Sequence, residues 1–229
     1  MSRHHLQRKR KTESKFDFLR DPKEIYRRSF EIVRESIDSK NLDNDISTVA
    51  ERMVHATAMP NIIDDLVWTP GAVAAGRAAL AQGGTMLVDG HMIAAGISKA
   101  SLMTSANVMC TLGLGTVTRI AQQQNTTRAA AAVSLWTPWL GGSVVAIGNA
   151  PTALFRLLEG LASGWSRPAL ILGLPVGFVG AAEAKQALID GDHGVPFITL
   201  KGPLGGSAMA AAAINALCTS QTIFSKNEN

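Results

Sequence analysis

Short, unbroken apolar runs alternate along this chain with segments whose apolar residues recur every three or four positions. Thr85–Asp89, Val108–Leu112, Ser143–Ile147, Ala169–Gly173 and Pro196–Leu200 are the unbroken runs. Continuous hydrophobicity marks strands covered on both faces, as in a parallel sheet, because a strand with one wet face would alternate. Helical periodicity predicts a helix over Lys23–Ser39, with Ile25, Phe30, Ile32, Val33 and Ile37 as its apolar set, and a second over Ile46–Ala58. Further helical signals fall near 70–82, 127–140, 151–160, 179–190 and 206–218. Strands alternating with helices predict an α/β fold: a doubly wound, mainly parallel five-stranded sheet with helices on both faces, flavodoxin-like in order.

The clearest local signal runs from Ser143 to Glu159. The apolar run Val144–Ile147 meets Gly148 and Asn149, and Pro151 then opens a helix carrying Leu154, Phe155 and Leu158 on one face. Proline suits a first helical turn because the N–H it lacks would have no partner there. The turn is expected to set Asn149 and free backbone N–H groups at the carboxyl edge of the sheet, where open α/β folds hold ligands. Asp89-Gly90-His91, Pro175-Val176-Gly177 and Lys201–Ser207 end the neighbouring strands. Such a rim is rich in glycine and amide donors and poor in carboxylates, which suits an anionic ligand.

Charge divides the chain. Residues 1–40 hold 12 Lys/Arg against 7 Asp/Glu, a balance of +5, while 41–229 hold 10 against 11, a balance of −1. We expect a basic, disordered leader over 1–17, one α/β domain over 18–220 and a polar tail over 221–229. A near-neutral body argues against nucleic acid as a partner. No apolar run follows the leader as a secretory signal would require, and the longest apolar stretch, Ala169–Ala182, is broken by Gly173, Pro175, Gly177 and Gly180. Cys110 and Cys218 make neither a disulfide framework nor a metal spacing. The expected protein is cytoplasmic, with no membrane association and no metal.

Familiar nucleotide and hydrolase motifs are missing. Gly173-Leu-Pro-Val-Gly177-Phe-Val-Gly180 spaces its glycines differently from the dinucleotide fingerprint, and neither GxxxxGK[ST] nor GxSxG occurs. Asp64-Asp65 has no histidine at metal spacing and reads as a solvated or capping pair. Four side chains stand out instead. His55 and Arg52 lie three apart on one helical face, so the cation lowers the imidazole pKa and an anionic ligand would raise it. Read alone, His55 is a buried or capping histidine before it is a catalytic one. Ser29 sits mid-helix, exposed or bonded to a ligand. Arg128 follows the capping signature Asn125-Thr126-Thr127, at a helix start that an arginine disfavours unless an anion is near. His91 reads as a surface-loop residue or a pocket residue, His193 as part of a polar turn, and Trp136 and Trp139 as core or subunit contacts.

Taken together, several stretches resemble the precorrin-8X methylmutase family: Arg20-Asp21 with Ile25-Tyr26 and Arg28-Ser29-Phe30, Arg52 with His55, Asp89 with Met92 and Gly96-Ile97, Thr127-Arg128, Ala146–Arg156, Pro175–Glu183 and Gly205–Ala210. The resemblance covers Phe18 to Cys218. It implies an isomerase of corrin-ring biosynthesis that moves a methyl group from C-11 to C-12 of a tetrapyrrole, giving hydrogenobyrinate by a 1,5-sigmatropic shift without a redox cofactor. It further implies that His55 is the catalytic histidine, that Ser29 and Arg52 contact substrate, and that the protein is a homodimer with sites near the subunit contact. Amide donors of the rim, Asn149 among them, and Arg128 would then meet the substrate's acetate and propionate arms. Ala58 departs from the family, which commonly has glycine there. Two competing readings are a corrinoid carrier without catalysis, and a flavodoxin-like nucleotide-binding module.

Overall fold

The computed structural model describes residues 16–37, 42–98 and 106–219. The expected leader, except for its last two residues, and the expected tail lie outside them.

Among the described residues six strands form one sheet: β1 (Leu66–Trp68), β2 (Met86–Val88), β3 (Val108–Met109), β4 (Val144–Ile147), β5 (Leu170–Gly173) and β6 (Phe197–Leu200), in the order β1-β6-β5-β4-β2-β3. The expected five runs are all present and pair in parallel. The strand count is corrected to six. The additional strand, β1, lies antiparallel to β6 with Leu66 opposite Leu200 and Trp68 opposite Ile198. Three residues between Asp64-Asp65 and Thr69-Pro70 are too few to show any periodicity, and only pairing with β6 makes them a strand.

The helices are α1 (Pro22–Ser36), α2 (Asn44–Thr57), α3 (Ala72–Ala81), α4 (His91–Gly96), α5 (Gly115–Gln123), α6 (Arg128–Val133), α7 (Pro151–Ala162), α8 (Ala181–Asp190) and α9 (Ser207–Cys218). Asp21 and Asp43 cap α1 and α2, each carboxylate accepting two backbone N–H bonds. Helices α4 and α5 were not expected. Neither has a side-chain cap, and α5 buries only Val117 and Ala121. The helix expected over 127–140 stops at Val133, and residues 134–139 run on as turns toward Pro138.

Alternate side chains of each strand feed two cores. Met86, Val88, Val144, Ala146, Leu170 and Leu172 meet α2, α3 and α9, while Leu87, Val145, Ile147 and Ile171 meet α6, α7 and α8. This two-sided burial is what the unbroken runs encode. Helix α9 is almost wholly buried and half alanine, so α2 and α4 approach it closely. A Cβ on Gly96 would stand 2.8 Å from that of Ala211.

One consequence positions the site. A 3-10 helix, Pro60–Asp65, connects α2 to β1. The start of β1 pairs with the carboxyl end of β6, and Lys201 N donates to Asp65 O at 2.8 Å. The carboxyl end of α2, with His55, is therefore carried to the edge where the parallel strands end.

Candidate functional site

Helix α1 turns Phe30 and Val33 inward, and Ser29 rides beside them. Its Oγ lies 2.9 Å from His55 Nδ1, across 26 residues of sequence. The buried Phe30 ring stacks on the imidazole with centroids 4.7 Å apart and planes 20° from parallel. The Arg52 guanidinium lies 5.4 Å from the Phe30 centroid and 5.7 Å from that of Tyr26. Ser29, Val33, Val54, His55, Ala58 and Pro60 line a cavity of about 240 Å³. Partial burial, and then the neighbouring Arg52 charge, hold the His55 pKa below its ordinary value. The last turn of α2 pulls the other way, because a helix carboxyl end favours a cation.

This geometry gives the histidine a defined role. The Ser29 hydroxyl donates to Nδ1 when the ring is neutral with its proton on Nε2, and accepts from Nδ1 when the ring is charged. In either state Nε2 can carry a proton toward a ligand. The stacked phenyl ring fixes the imidazole plane. The arrangement suits proton delivery, and with three groups gathered on one helix pair, Ser29, Arg52 and His55 are brought together as a unit.

Asn149 and Arg128 stand apart from that unit on the same edge. The backbone N–H groups expected to be free at Gly148 and Asn149 are not free. Asp89, at the end of β2, accepts Gly148 N at 2.9 Å, Asn149 N at 3.1 Å and Ala150 N at 2.7 Å. The protein thus supplies its own carboxylate to the turn that opens α7. Burial pushes the Asp89 pKa up, and the N–H bonds pull part of that back. The Asn149 residue is exposed, and its Cβ lies 3.4 Å from where a Cβ on Gly90 would stand. Arg128 is exposed and reaches Leu112 O at 3.3 Å, while Thr127 caps α6 through Ala130 N and meets Thr152 Oγ1 at 2.7 Å. His91 starts α4, exposed, with its ring against Gly113.

Three residues escaped sequence reasoning. Phe30 was assigned to the core of α1 and is also the stacking partner of His55. Asp89 was placed on the rim and is turned inward. Lys185 is fully buried on α8, with Nζ donating to Leu204 O. Its signal was legible, since a lysine on the face shared by Ala181, Ala184 and Leu188 cannot reach water easily. Among the described residues there is no grouping of His, Cys, Asp and Glu side chains suited to a metal, and no helix long and apolar enough to cross a membrane.

Comparison with known proteins gives a consistent result. The precorrin-8X methylmutase family model matches residues 24–220. A precorrin-8X methylmutase from Pseudomonas aeruginosa is 49% identical over 203 residues, covering 89% of this chain and 98% of that protein. Its counterpart from a Sinorhizobium species is 48% identical, covering 88% and 96%. The crystal structure of precorrin-8X methylmutase from Thermus thermophilus superposes with a TM-score of 0.77 at 38% identity, over 85% of this chain and 95% of that one.

Proposed function

Because the chain belongs to the precorrin-8X methylmutase family, isomerases of cobalamin biosynthesis, we propose that His55 handles the proton that drives the methyl shift of precorrin-8X to hydrogenobyrinate. The observation that carries this reading is the Ser29–His55 hydrogen bond beside a cavity, with Phe30 stacked on the ring. His55 Nε2 gives its proton to a ring nitrogen of the substrate. Electron density is drawn through the conjugated system, the bond from C-11 to the methyl carbon breaks as the bond to C-12 forms, and the proton returns to the imidazole. Product and substrate have the same composition. A positioned acid supplies about 10²–10⁴-fold, and holding the macrocycle in a reactive shape supplies further acceleration.

In the free protein the histidine is biased toward its neutral form. A substrate bearing several carboxylates reverses that bias, so proton uptake is coupled to binding. Arg52, Arg128 and Asn149 are assigned to those carboxylate arms. Ser29 acts on the substrate through His55.

We read the five parallel strands, which run 2-1-3-4-5 when counted among themselves, as a flavodoxin-like sheet extended by β1. That order reverses between β2 and β4, and ligands of open α/β sheets lie at such a switch point. Gly90 and Asn149 occupy it. A homodimer fits the rim beside it, where Phe178 is fully exposed and Val179 nearly so. A second copy covering these side chains would remove an apolar patch from water.

The test is incubation of the purified protein with precorrin-8X, following visible spectrum and product mass. Conversion at unchanged mass, lost by about 10²-fold or more in His55→Ala while hydrogenobyrinate still binds, is expected. Full activity in His55→Ala would remove the histidine from the reaction. Tight binding without conversion of either precorrin-8X or its cobalt complex would identify a carrier.

A further inference from the structure

The two parts of the proposed site are joined by a loop, and one buried side chain reaches its middle. Residues 201–207 follow β6. At the near end, Lys201 N donates to Asp65 O at 2.8 Å, and Asp65 closes the 3-10 helix that begins at Pro60 in the wall of the His55 cavity. At the far end, Ser207 Oγ lies 4.0 Å from where a Cβ on Gly90 would stand, against Asn149. The loop is pulled down onto the end of β5 as well, with Gly206 N donating to Leu174 O at 2.8 Å and Gly177 N to Pro203 O at 3.1 Å. Gly205 presses so closely on Leu174 that a Cβ would stand 2.3 Å from its carbonyl oxygen.

Lys185 reaches the middle of this loop from α8, fully buried, with Nζ donating to Leu204 O. Asp65, at the near end of the same path, is the charged group that acts on it. Burying an amine costs free energy that a methionine of similar length would not incur. What only the lysine supplies at this point is a donor long enough to hold a loop carbonyl.

We propose that Lys185 is a positioning residue for the methyl shift: by holding Leu204 it sets the separation of the His55 part of the site from the Gly90–Asn149 part, and so the fit of the macrocycle across both. The inference rests on the functional reading above. It requires that loss of the donor loosen the loop, weakening the grip on the macrocycle more than the chemistry at His55.

The experiment compares wild type, Lys185→Met and Lys185→Gln by titration with hydrogenobyrinate, by kcat and KM for precorrin-8X, and by hydrogen exchange. For Lys185→Met we expect Kd and KM to rise about tenfold, the loss of one hydrogen bond to a charged donor, with kcat changed much less. Exchange should quicken in 201–207, and the His55 NMR titration should stay in place. Lys185→Gln, which keeps an N–H donor, should recover part of the affinity and also serves if the methionine variant fails to fold. Unchanged affinity in both variants, or parallel losses in kcat, affinity and melting temperature, would overturn the proposal. A wild type that neither binds nor converts these compounds would overturn the functional reading, and this inference with it.

Discussion

Two ionisable groups stand at the same edge of the sheet under opposite conditions. Asp89 is buried, and three consecutive backbone N–H groups at the start of α7 saturate its carboxylate. His55 is exposed at the end of α2, held by one hydroxyl and one stacked ring. A buried polar group with every bond made by the protein has little capacity left for a ligand; its contribution is to fix a turn. A group oriented on one side and open on the other can exchange a proton. The difference in satisfaction, more than the residue type, separates the frame of this site from its chemistry.

The strongest way to break that comparison is Asp89→Ala. Three donors would lose their acceptor at a helix start that also favours negative charge. We expect a loss of roughly 3 kcal/mol in unfolding free energy, measured by urea denaturation, with the His55 titration little moved. Retained stability together with abolished methyl transfer would place Asp89 among the reacting groups and dissolve the distinction.

How far the sequence led differs between the two regions for the same reason. Strands β2, β4, β5 and β6 were legible within a residue or two, because residues facing two cores form unbroken runs bounded by Gly, Pro or Asp. The turn at Gly148-Asn149 was legible too, but its occupant was not. Asp89 lies 59 to 61 residues away, and no local pattern announces that a strand-end carboxylate will fill a neighbouring turn. Likewise nothing in the spacing of Ser29 and His55 implies contact; resemblance to a family brought both into view, and the packing of α1 on α2 supplies the 2.9 Å bond. Strand β1 and helix α4 escaped because three and six residues carry too little periodicity. Lys185 lies on the apolar face of α8, but its acceptor, Leu204 O, is 19 residues away and no local pattern announces it.

A smaller effect sharpens the His55 side. Two causes hold its pKa down, burial first and Arg52 second. Removing the cation in Arg52→Gln should raise the His55 titration, followed by the Cε1 proton in NMR, without restoring it fully, since burial remains. The sign carries into stability. The unfolded chain holds the proton more tightly, so this group's contribution favours folding above its ordinary pKa near 6.5 and is lost as pH falls through the depressed folded value. In Arg52→Gln that loss should be complete at a higher pH and be smaller. A titration that stays put or moves down would mean that the Arg52 charge is neutralised where it stands.

The smallest expected effect concerns the backbone beside the histidine. Ala58 ends α2 with φ 54°, ψ 31°, in the left-handed region, and its N–H donates to Val54 O. A Cβ is disfavoured there by roughly 1–2 kcal/mol, whereas glycine adopts the conformation freely but leaves a more disordered unfolded chain, at about 0.4–1 kcal/mol. Ala58→Gly should therefore stabilise the protein by about 1 kcal/mol or less, a rise of a few degrees in melting temperature for a chain of this size. Ala58 also lines the cavity beside His55, so the substitution tests whether strain on this side of the molecule serves the site. A more stable variant with unchanged product affinity would make the alanine incidental. A more stable variant that binds hydrogenobyrinate less tightly would show that the methyl group earns its strain by shaping the cavity wall, and that the loosely satisfied region gives up stability which the Asp89 turn keeps.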